Sequence, residues 1–114
     1  MSKSVNVLLG HILQSADLVA DYIKGATRQK FLENVGLQDK VIRRLAIIGE
    51  AVKHLPSDFR NKHKTIPWKE IAGMRDILVH EYYNVDAPLV WRVAKLRLPS
   101  MQKYLLKVLV SSKQ

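Results

Sequence analysis

The chain has no cysteine among its 114 residues, and it contains few prolines, glycines and aromatic residues. The absence of cysteine excludes a disulfide scaffold, a thiolate zinc site and a cysteine nucleophile. No apolar run approaches the roughly 20 residues that span a bilayer, and residues 1–10 lack the pattern of a signal peptide. We therefore expect a cytoplasmic protein without a membrane partner.

The composition is that of one basic domain covering residues 1–114. A hydrophobic content of 47% is enough for a folded core, and the net charge of +9 predicts a polyanionic partner. The charge is concentrated in the second half of the chain, and it is densest in a polar run around residue 62. The candidates for phosphate contacts are Arg60, Lys62, Lys64 and Lys69. A solvated loop would explain a basic run of this kind equally well.

Helical periodicity dominates the chain. Apolar residues recur with helical spacing from Leu8 to Ile23 and again from Leu37 to Leu55. The first stripe predicts a helix over residues 4–24 ended by Gly25, and the second a helix ending before Pro56.

Further helices are indicated in the second half of the sequence. One begins near Pro67, and another is capped by Asp86. Pro99 is expected to kink or break the last one, and Phe31 and Phe59 to anchor the two longer connections. No alternating or repeated pattern is present, so we expect an all-α, antiparallel bundle of four to five helices.

Common catalytic and cofactor motifs are absent. The four histidines lack metal-ligand spacing, the five glycines are isolated, and there is no G-x-S-x-G elbow. We therefore expect no metal and no cofactor. Glu50 and His54 lie one turn apart, with Arg43 one heptad earlier, which is typical of a surface salt-bridge ladder.

One segment, residues 75–83, combines several chemically active side chains. Arg75 and Asp76 open an apolar stretch, and His80, Tyr82 and Tyr83 follow it. Without further context, these residues could be a helix-surface charge, a C-terminal cation and exposed aromatic residues.

At this segment the sequence resembles a known family. The spacing of Arg75, His80 and Tyr82 is similar to the R-x4-H-x-Y motif of the HepT-like toxins in the HEPN superfamily. Residues 47–51, 66–76, 85–86, 90–91 and 98–99 resemble further family landmarks in order and spacing. The resemblance therefore covers nearly the whole chain.

The resemblance implies a helical, dimerising toxin with metal-independent ribonuclease activity. Arg75 and His80 would be catalytic, Asp76 and Glu50 supporting, and RNA the substrate. An MntA-like minimal nucleotidyltransferase antitoxin would inactivate the toxin by transferring AMP to Tyr82, with Tyr83 as a decoy or a second acceptor. The assembly would be a homodimer or a higher even oligomer. Whether Glu50 serves dimer packing or supports the active site stays open.

The residue chemistry is compatible with RNA cleavage by the 2′-OH. Histidine titrates near ~6.5 and can take either proton role, while arginine holds two phosphate oxygens. Asp76 could orient Arg75 or His80. In a continuous helix, Arg75 and His80 would lie about 140° apart, so either the helix ends or bends before His80 or a second chain completes the site.

The same helical wheel places Tyr82 about 20° from Arg75, if the helix continues that far. AMP on Tyr82 would then compete with the RNA phosphate for Arg75. Two other functions stay open at this point: a catalytically weak docking module for a nucleotidyltransferase, and a basic nucleic-acid-binding protein without chemistry.

Overall fold

The computed structural model describes residues 4–112, and within that range the chain forms helices and connecting turns but no strand. A 3₁₀ turn, Tyr82–Asn84, and a π-helical segment, Val93–Arg97, accompany the α-helices. The α-helices are α1 (Val5–Ile23), α2 (Arg28–Glu33), α3 (Val35–Lys53), α4 (Ser57–Lys62), α5 (Trp68–His80), α6 (Ala87–Arg92) and α7 (Leu98–Ser112). The all-α expectation is confirmed.

Local sequence signals explain where the long helices begin and end. The Ser4 hydroxyl accepts a hydrogen bond from the Val7 amide at 3.3 Å, and the Asn34 side chain caps α3 at the Leu37 amide. Gly25 has a φ of +78°, which glycine adopts without steric cost, and α1 ends just before it. Asp86 accepts a hydrogen bond from the Leu89 amide, as its predicted capping role requires.

The two longer connections are short helices, which periodicity did not predict. Phe31 in α2 is fully buried, and Phe59 in α4 is half-buried against the core, so both phenylalanines anchor these segments as expected. Six-residue helices are too short to show an amphipathic stripe. The expected four to five helices therefore become seven α-helical segments in the described chain.

The core lies between α1, α3, α5 and the final helical region. Helix α3 packs against both α1 and α5, and α7 packs against α1. The five predicted stripe residues of α1 are all buried. In the second predicted stripe, Leu37 is half-buried, whereas the residues from Val41 to Val52 in α3, and Leu55 just after it, are buried. Each buried leucine or isoleucine contributes roughly 1.5–3 kcal/mol to folding.

Pro99 does not end the last helix. A π-helical turn precedes it, in which the Leu98 amide donates to the Val93 carbonyl five residues back. Such a turn is one way for a helix to accommodate a locally missing hydrogen bond. The expected interruption is thus a π segment, and the chain continues as α7. No helix within residues 4–112 is long and apolar enough to cross a membrane.

Candidate active site

Arg75 lies where α5 crosses α3 at very close range. A Cβ atom on Gly49 of α3 would overlap the Arg75 Cβ, and it would lie 2.9 Å from the Arg75 Cγ and 3.2 Å from the Ile71 carbonyl oxygen. Only glycine leaves the room that this contact needs. The missing side chain at residue 49 therefore sets the depth at which Arg75 sits between the two helices.

The Arg75 guanidinium is held by two carboxylates. Its Nε lies 3.4 Å from Glu50 Oε1, and its Nη1 donates to Asp76 Oδ1 at 3.0 Å. The side chain is only 19% exposed, so water screens these contacts less than it would on an open surface. Nη2 has no partner of this kind within residues 4–112. The arrangement fixes the guanidinium and leaves one of its nitrogens available to an anion.

Asp76 is shared between two cations. Lys53 Nζ on α3 lies 3.0 Å from the same Oδ1 atom that accepts from Arg75. The hydrogen bond from Lys53, followed by that from Arg75, lowers the pKa of the Asp76 carboxyl below its ordinary value. Asp76 is therefore ionised at neutral pH. Its carboxylate accepts a hydrogen bond from Arg75, and within residues 4–112 it forms no hydrogen bond or ion pair with His80, which is compatible with the predicted role of orienting Arg75.

Glu50 connects Arg75 to a histidine. Its Oε2 atom lies 3.3 Å from His54 Nε2, while Oε1 faces Arg75. The predicted Glu50–His54 contact is thus present, but Arg43 forms no ion pair within the described residues. A chain of alternating groups results, consisting of Lys53, Asp76, Arg75, Glu50 and His54. We refer to it as the charge chain.

His80 is the last residue of α5, and its side chain is exposed. It makes no side-chain hydrogen bond or ion pair in the part of the chain that is described. Because α5 runs unbroken from Trp68 through His80, the first of the two alternatives, an end or bend before His80, is not what the structure shows. Arg75 and His80 therefore project about 140° apart around one helix.

Tyr82 does not continue α5. The helix ends at Glu81, whose φ of −121° and ψ of 45° are not helical, and a 3₁₀ turn follows. The condition for the predicted position of Tyr82 beside Arg75, a helix that continues through residue 82, is therefore not met. The rings of Tyr82 and Tyr83 meet edge to face with centroids 5.7 Å apart, and the residues are 75% and 77% exposed. Both hydroxyls are open to another protein.

An open groove of about 340 Å³ lies between α3 and α5 beside Arg75. It has a mixed lining of apolar and charged side chains. Ile77 and Val79, large apolar residues in the second half of α5, are more than 40% exposed. The lining residues are Asp39, Ile42, Arg43, Ala46, Ile47, Glu50, Arg75, Leu78 and Val79. The groove thus combines apolar side chains with two arginines and two carboxylates, whose formal charges cancel.

Three of the four candidate phosphate contacts come together elsewhere. Arg60, Lys64 and Lys69 line a second groove of about 460 Å³ between α4 and the start of α5, which we name the basic groove. Lys62 is exposed but does not line it. Within residues 4–112, no group of three histidine, aspartate or glutamate side chains is placed to hold a metal ion.

Two residues of the Arg75 site were missed by sequence reasoning. Lys53 holds Asp76 from the neighbouring helix, and Gly49 makes the close approach possible. Gly49 carried a weak signal, because a glycine inside a long amphipathic helix costs stability unless packing requires it. Lys53 carried none, since an exposed lysine near a helix end is common.

Comparison with known proteins gives one matching family model and several similar proteins. Residues 12–108 match the family model described as "Ribonuclease HepT-like". A Methanocaldococcus jannaschii protein named "Gamma-glutamylcyclotransferase and putative RNase" is 48% identical over 96% of this chain, which spans about half (49%) of that relative. The "Putative RNase" of Caldanaerobacter subterraneus is 40% identical over 97% of this chain and 99% of its own length.

A third relative carries the family's own name. The "Probable ribonuclease HepT" of Thermococcus cleftensis is 38% identical over 90% of this chain and 93% of its own length. No solved structure matches the chain at a significant level.

Proposed function

Because this chain belongs to the HepT-like ribonuclease family, we propose that it is a metal-independent endoribonuclease with a composite Arg75 and His80 site at a dimer interface. The observation that carries this proposal is the contrast between the two side chains. Arg75 is held rigidly by Glu50 and Asp76, as a group that binds a phosphate must be. His80 is exposed and has no hydrogen-bond or ion-pair partner within residues 4–112, which suits a proton-transfer group that meets RNA.

The proposed reaction needs one base, one acid and a positive charge. One His80 takes the proton from the 2′-OH, whose oxygen attacks the adjacent phosphorus. A second His80 gives a proton to the departing 5′-oxygen, and the products are a 2′,3′-cyclic phosphate and a 5′-OH. Arg75 stabilises the additional negative charge on the phosphorus centre. The two histidines come from two copies of the chain.

The course of α5 supports a dimeric site. Since Arg75 and His80 project about 140° apart, a two-fold axis near the groove would let His80 of one copy approach Arg75 of the other. The exposed side chains of Ile77 and Val79 provide apolar surface for that contact. A homodimer, or a higher even oligomer, is therefore part of the proposal.

We further propose that the protein is the toxin of a toxin–antitoxin pair. Its antitoxin is an MntA-like nucleotidyltransferase that transfers AMP to Tyr82. The exposure of Tyr82 supports modification by another protein. Since α5 ends before Tyr82, which lies in the following 3₁₀ turn, we expect AMP to act by placing bulk and negative charge two residues from His80.

The decisive experiment is cleavage of labelled RNA by the purified, unmodified protein with and without EDTA. We expect cleavage to survive EDTA and to disappear in Arg75→Ala and His80→Ala. Arg28→Ala, at an exposed arginine of α2, and His11→Ala are the matched controls. Folded wild-type protein that leaves RNA intact would support a docking module instead. RNA binding without cleavage, unaffected by His80→Ala, would support a simple nucleic-acid binder.

Intact mass after co-expression with the nucleotidyltransferase tests the modification. We expect one or more added AMP groups on the wild type and none on Tyr82→Phe. Tyr83→Phe is the control, because its hydroxyl is equally exposed. AMP retained in Tyr82→Phe and absent from Tyr83→Phe would assign the modification to the neighbouring tyrosine.

A further inference from the structure

The basic groove has the charge of an anion site. Arg60, Lys64 and Lys69 contribute three positive charges, and none of its lining residues in the described part of the chain is acidic. The remaining lining residues are Ser57, Asn61, Ile66 and Trp68. The hydroxyl of Ser57 and the amide of Asn61 add neutral donors, from which phosphate oxygens can accept hydrogen bonds.

These positive charges are not neutralised by the protein. None of the three cations forms an ion pair within residues 4–112. Glu70, the acid next to Lys69, lies 3.6 Å from Arg97 instead. In addition, the Nε atom of Arg60 is buried and has no hydrogen-bond partner in the described structure. A buried donor without an acceptor is costly, and an anion in the groove would give this guanidinium acceptors.

The walls of the groove are fixed by side-chain contacts. Trp68 Nε1 donates to the His63 carbonyl at 3.0 Å, and His63 Nδ1 lies 2.8 Å from the Tyr104 hydroxyl on α7. The Phe59 ring lies between those of His63 and Trp68, with centroids 4.6 and 6.0 Å away. The segment between α4 and α5 is therefore held to the core, and the cations stand on a rigid frame. Preorganisation of this kind lowers the entropic cost of binding.

The groove and His80 face the same side of α5. Lys69 and His80 are eleven residues apart, which is about 20° around an ideal helix and roughly 17 Å along it. Between them lies Gly73, within about 40° of Lys69 on the same wheel. Gly73 is exposed, and a Cβ atom there would meet nothing within 4 Å, so packing within one chain does not require glycine. A helix surface without side chains lets another backbone approach closely.

We propose that the basic groove binds a phosphate of the RNA substrate away from the cleaved bond, and that the RNA strand runs from there across Gly73 to His80. This inference rests on the proposed ribonuclease function and deepens it. Arg75 and His80 act on the cleaved phosphate, while Arg60, Lys64 and Lys69 hold a neighbouring part of the same strand. The groove thereby favours RNA longer than the few nucleotides around the cleaved bond.

Binding measured in the cleavage-deficient His80→Ala background tests the groove directly. The probe is a fluorescently labelled single-stranded RNA, and the readout is anisotropy over a series of salt concentrations. We compare Lys64→Gln/Lys69→Gln with Lys103→Gln/Lys107→Gln, which removes two exposed charges from α7. We expect only the first pair to lower the slope of log K against log salt, by about 0.7 for each RNA phosphate that the groove no longer neutralises.

A second comparison uses the active protein. Lys64→Gln/Lys69→Gln should raise KM for a long RNA, leave kcat close to that of the wild type, and leave cleavage of a very short RNA unchanged. Arg60→Gln should act in the same direction. Equal effects of the two lysine pairs would mean that only the overall charge matters, and would overturn the proposal.

Gly73→Leu tests the path of the strand. We expect weaker binding of long RNA with an unchanged oligomeric state. A weakened dimer with unchanged RNA binding would assign this face of α5 to a second copy of the chain and overturn the path.

The proposal for the basic groove and the proposal of ribonuclease activity are refuted by different results. Wild-type protein that does not cleave RNA refutes the function, whereas the anisotropy comparison still reports whether the groove binds RNA.

Discussion

Substitution of Gly49 by alanine is the sharpest test of how Arg75 is positioned. Alanine adds one methyl group to α3, and that group would overlap the Arg75 Cβ and press on the Ile71 carbonyl. Neither the arginine Cβ nor a helix carbonyl is the movable end of a flexible side chain. The two helices must therefore separate, and the Arg75 guanidinium must shift relative to Glu50.

The expected magnitude combines two opposing effects. Alanine in place of glycine stabilises a helix by roughly 0.5–1 kcal/mol, and overpacking costs about 1–3 kcal/mol. We expect a net destabilisation of about 1–2 kcal/mol, together with a loss of RNA cleavage larger than the loss of folded protein. Gly10→Ala is the matched control, because it lies in the middle of α1 and a Cβ there would meet nothing within 4 Å. It should stabilise by about 0.5–1 kcal/mol.

Urea unfolding at fixed protein concentration measures both variants, since dimerisation would couple stability to concentration. Cleavage is then assayed where each variant is fully folded. Gly49→Ala that is as stable as Gly10→Ala and fully active would refute the close contact of α3 with α5. A destabilised but fully active Gly49→Ala would support the close contact of α3 with α5 and refute its role in positioning Arg75.

Three further predictions concern the residues around Arg75. Glu50→Gln should lower kcat about tenfold, equivalent to about 1.4 kcal/mol, with little change in stability. The control Glu33→Gln on α2 should change neither kcat nor stability. Equal cleavage rates of the two variants would show that Glu50 does not position Arg75. Because the pKa of Asp76 is lowered in the folded state by Lys53 and Arg75, Asp76→Asn should be less stable than the wild type at pH 7. In urea melts across pH, that difference should disappear as the pH falls below the ordinary carboxyl value of about 3.9, and a constant difference would contradict the ionic origin. Mixing His80→Ala protein into the wild type at constant total concentration should lower RNA cleavage with about the square of the wild-type fraction, since a heterodimer retains only one of the two histidines; a linear decline after verified subunit exchange would refute a shared site.

The long helices were predictable because their apolar stripes and caps are local signals. The α1 stripe from Leu8 to Ile23 is buried as predicted, and Asp86 caps the helix it was expected to cap. The short helices α2 and α4 were not predictable, because one and a half turns carry too few residues to show a period. The buried ring of Phe31 and the half-buried ring of Phe59 hold these two segments to the core.

The candidate site was predictable in its residues but not in its geometry. The resemblance directed attention to Arg75, His80 and Tyr82, and no local signal showed that α5 would end at Glu81. The wheel estimate for Tyr82 assumed a helix that the backbone of Glu81 does not continue. Likewise, the contacts of Arg75 depend on α3, and a pairing between two helices is set by tertiary packing.

The charge chain around Arg75 has a consequence for how the protein meets its substrate. Two cations and two carboxylates alternate along it, and their formal charges cancel. A cancelled array of this kind has little field beyond a few ångströms, and salt screens the remainder within about 8–10 Å. Arg75 therefore exerts little electrostatic attraction at long range and acts only on a phosphate that is already in contact with it. Long-range attraction of RNA must therefore come from uncompensated lysines and arginines elsewhere. As a result, substitutions can change RNA capture and RNA cleavage independently of each other.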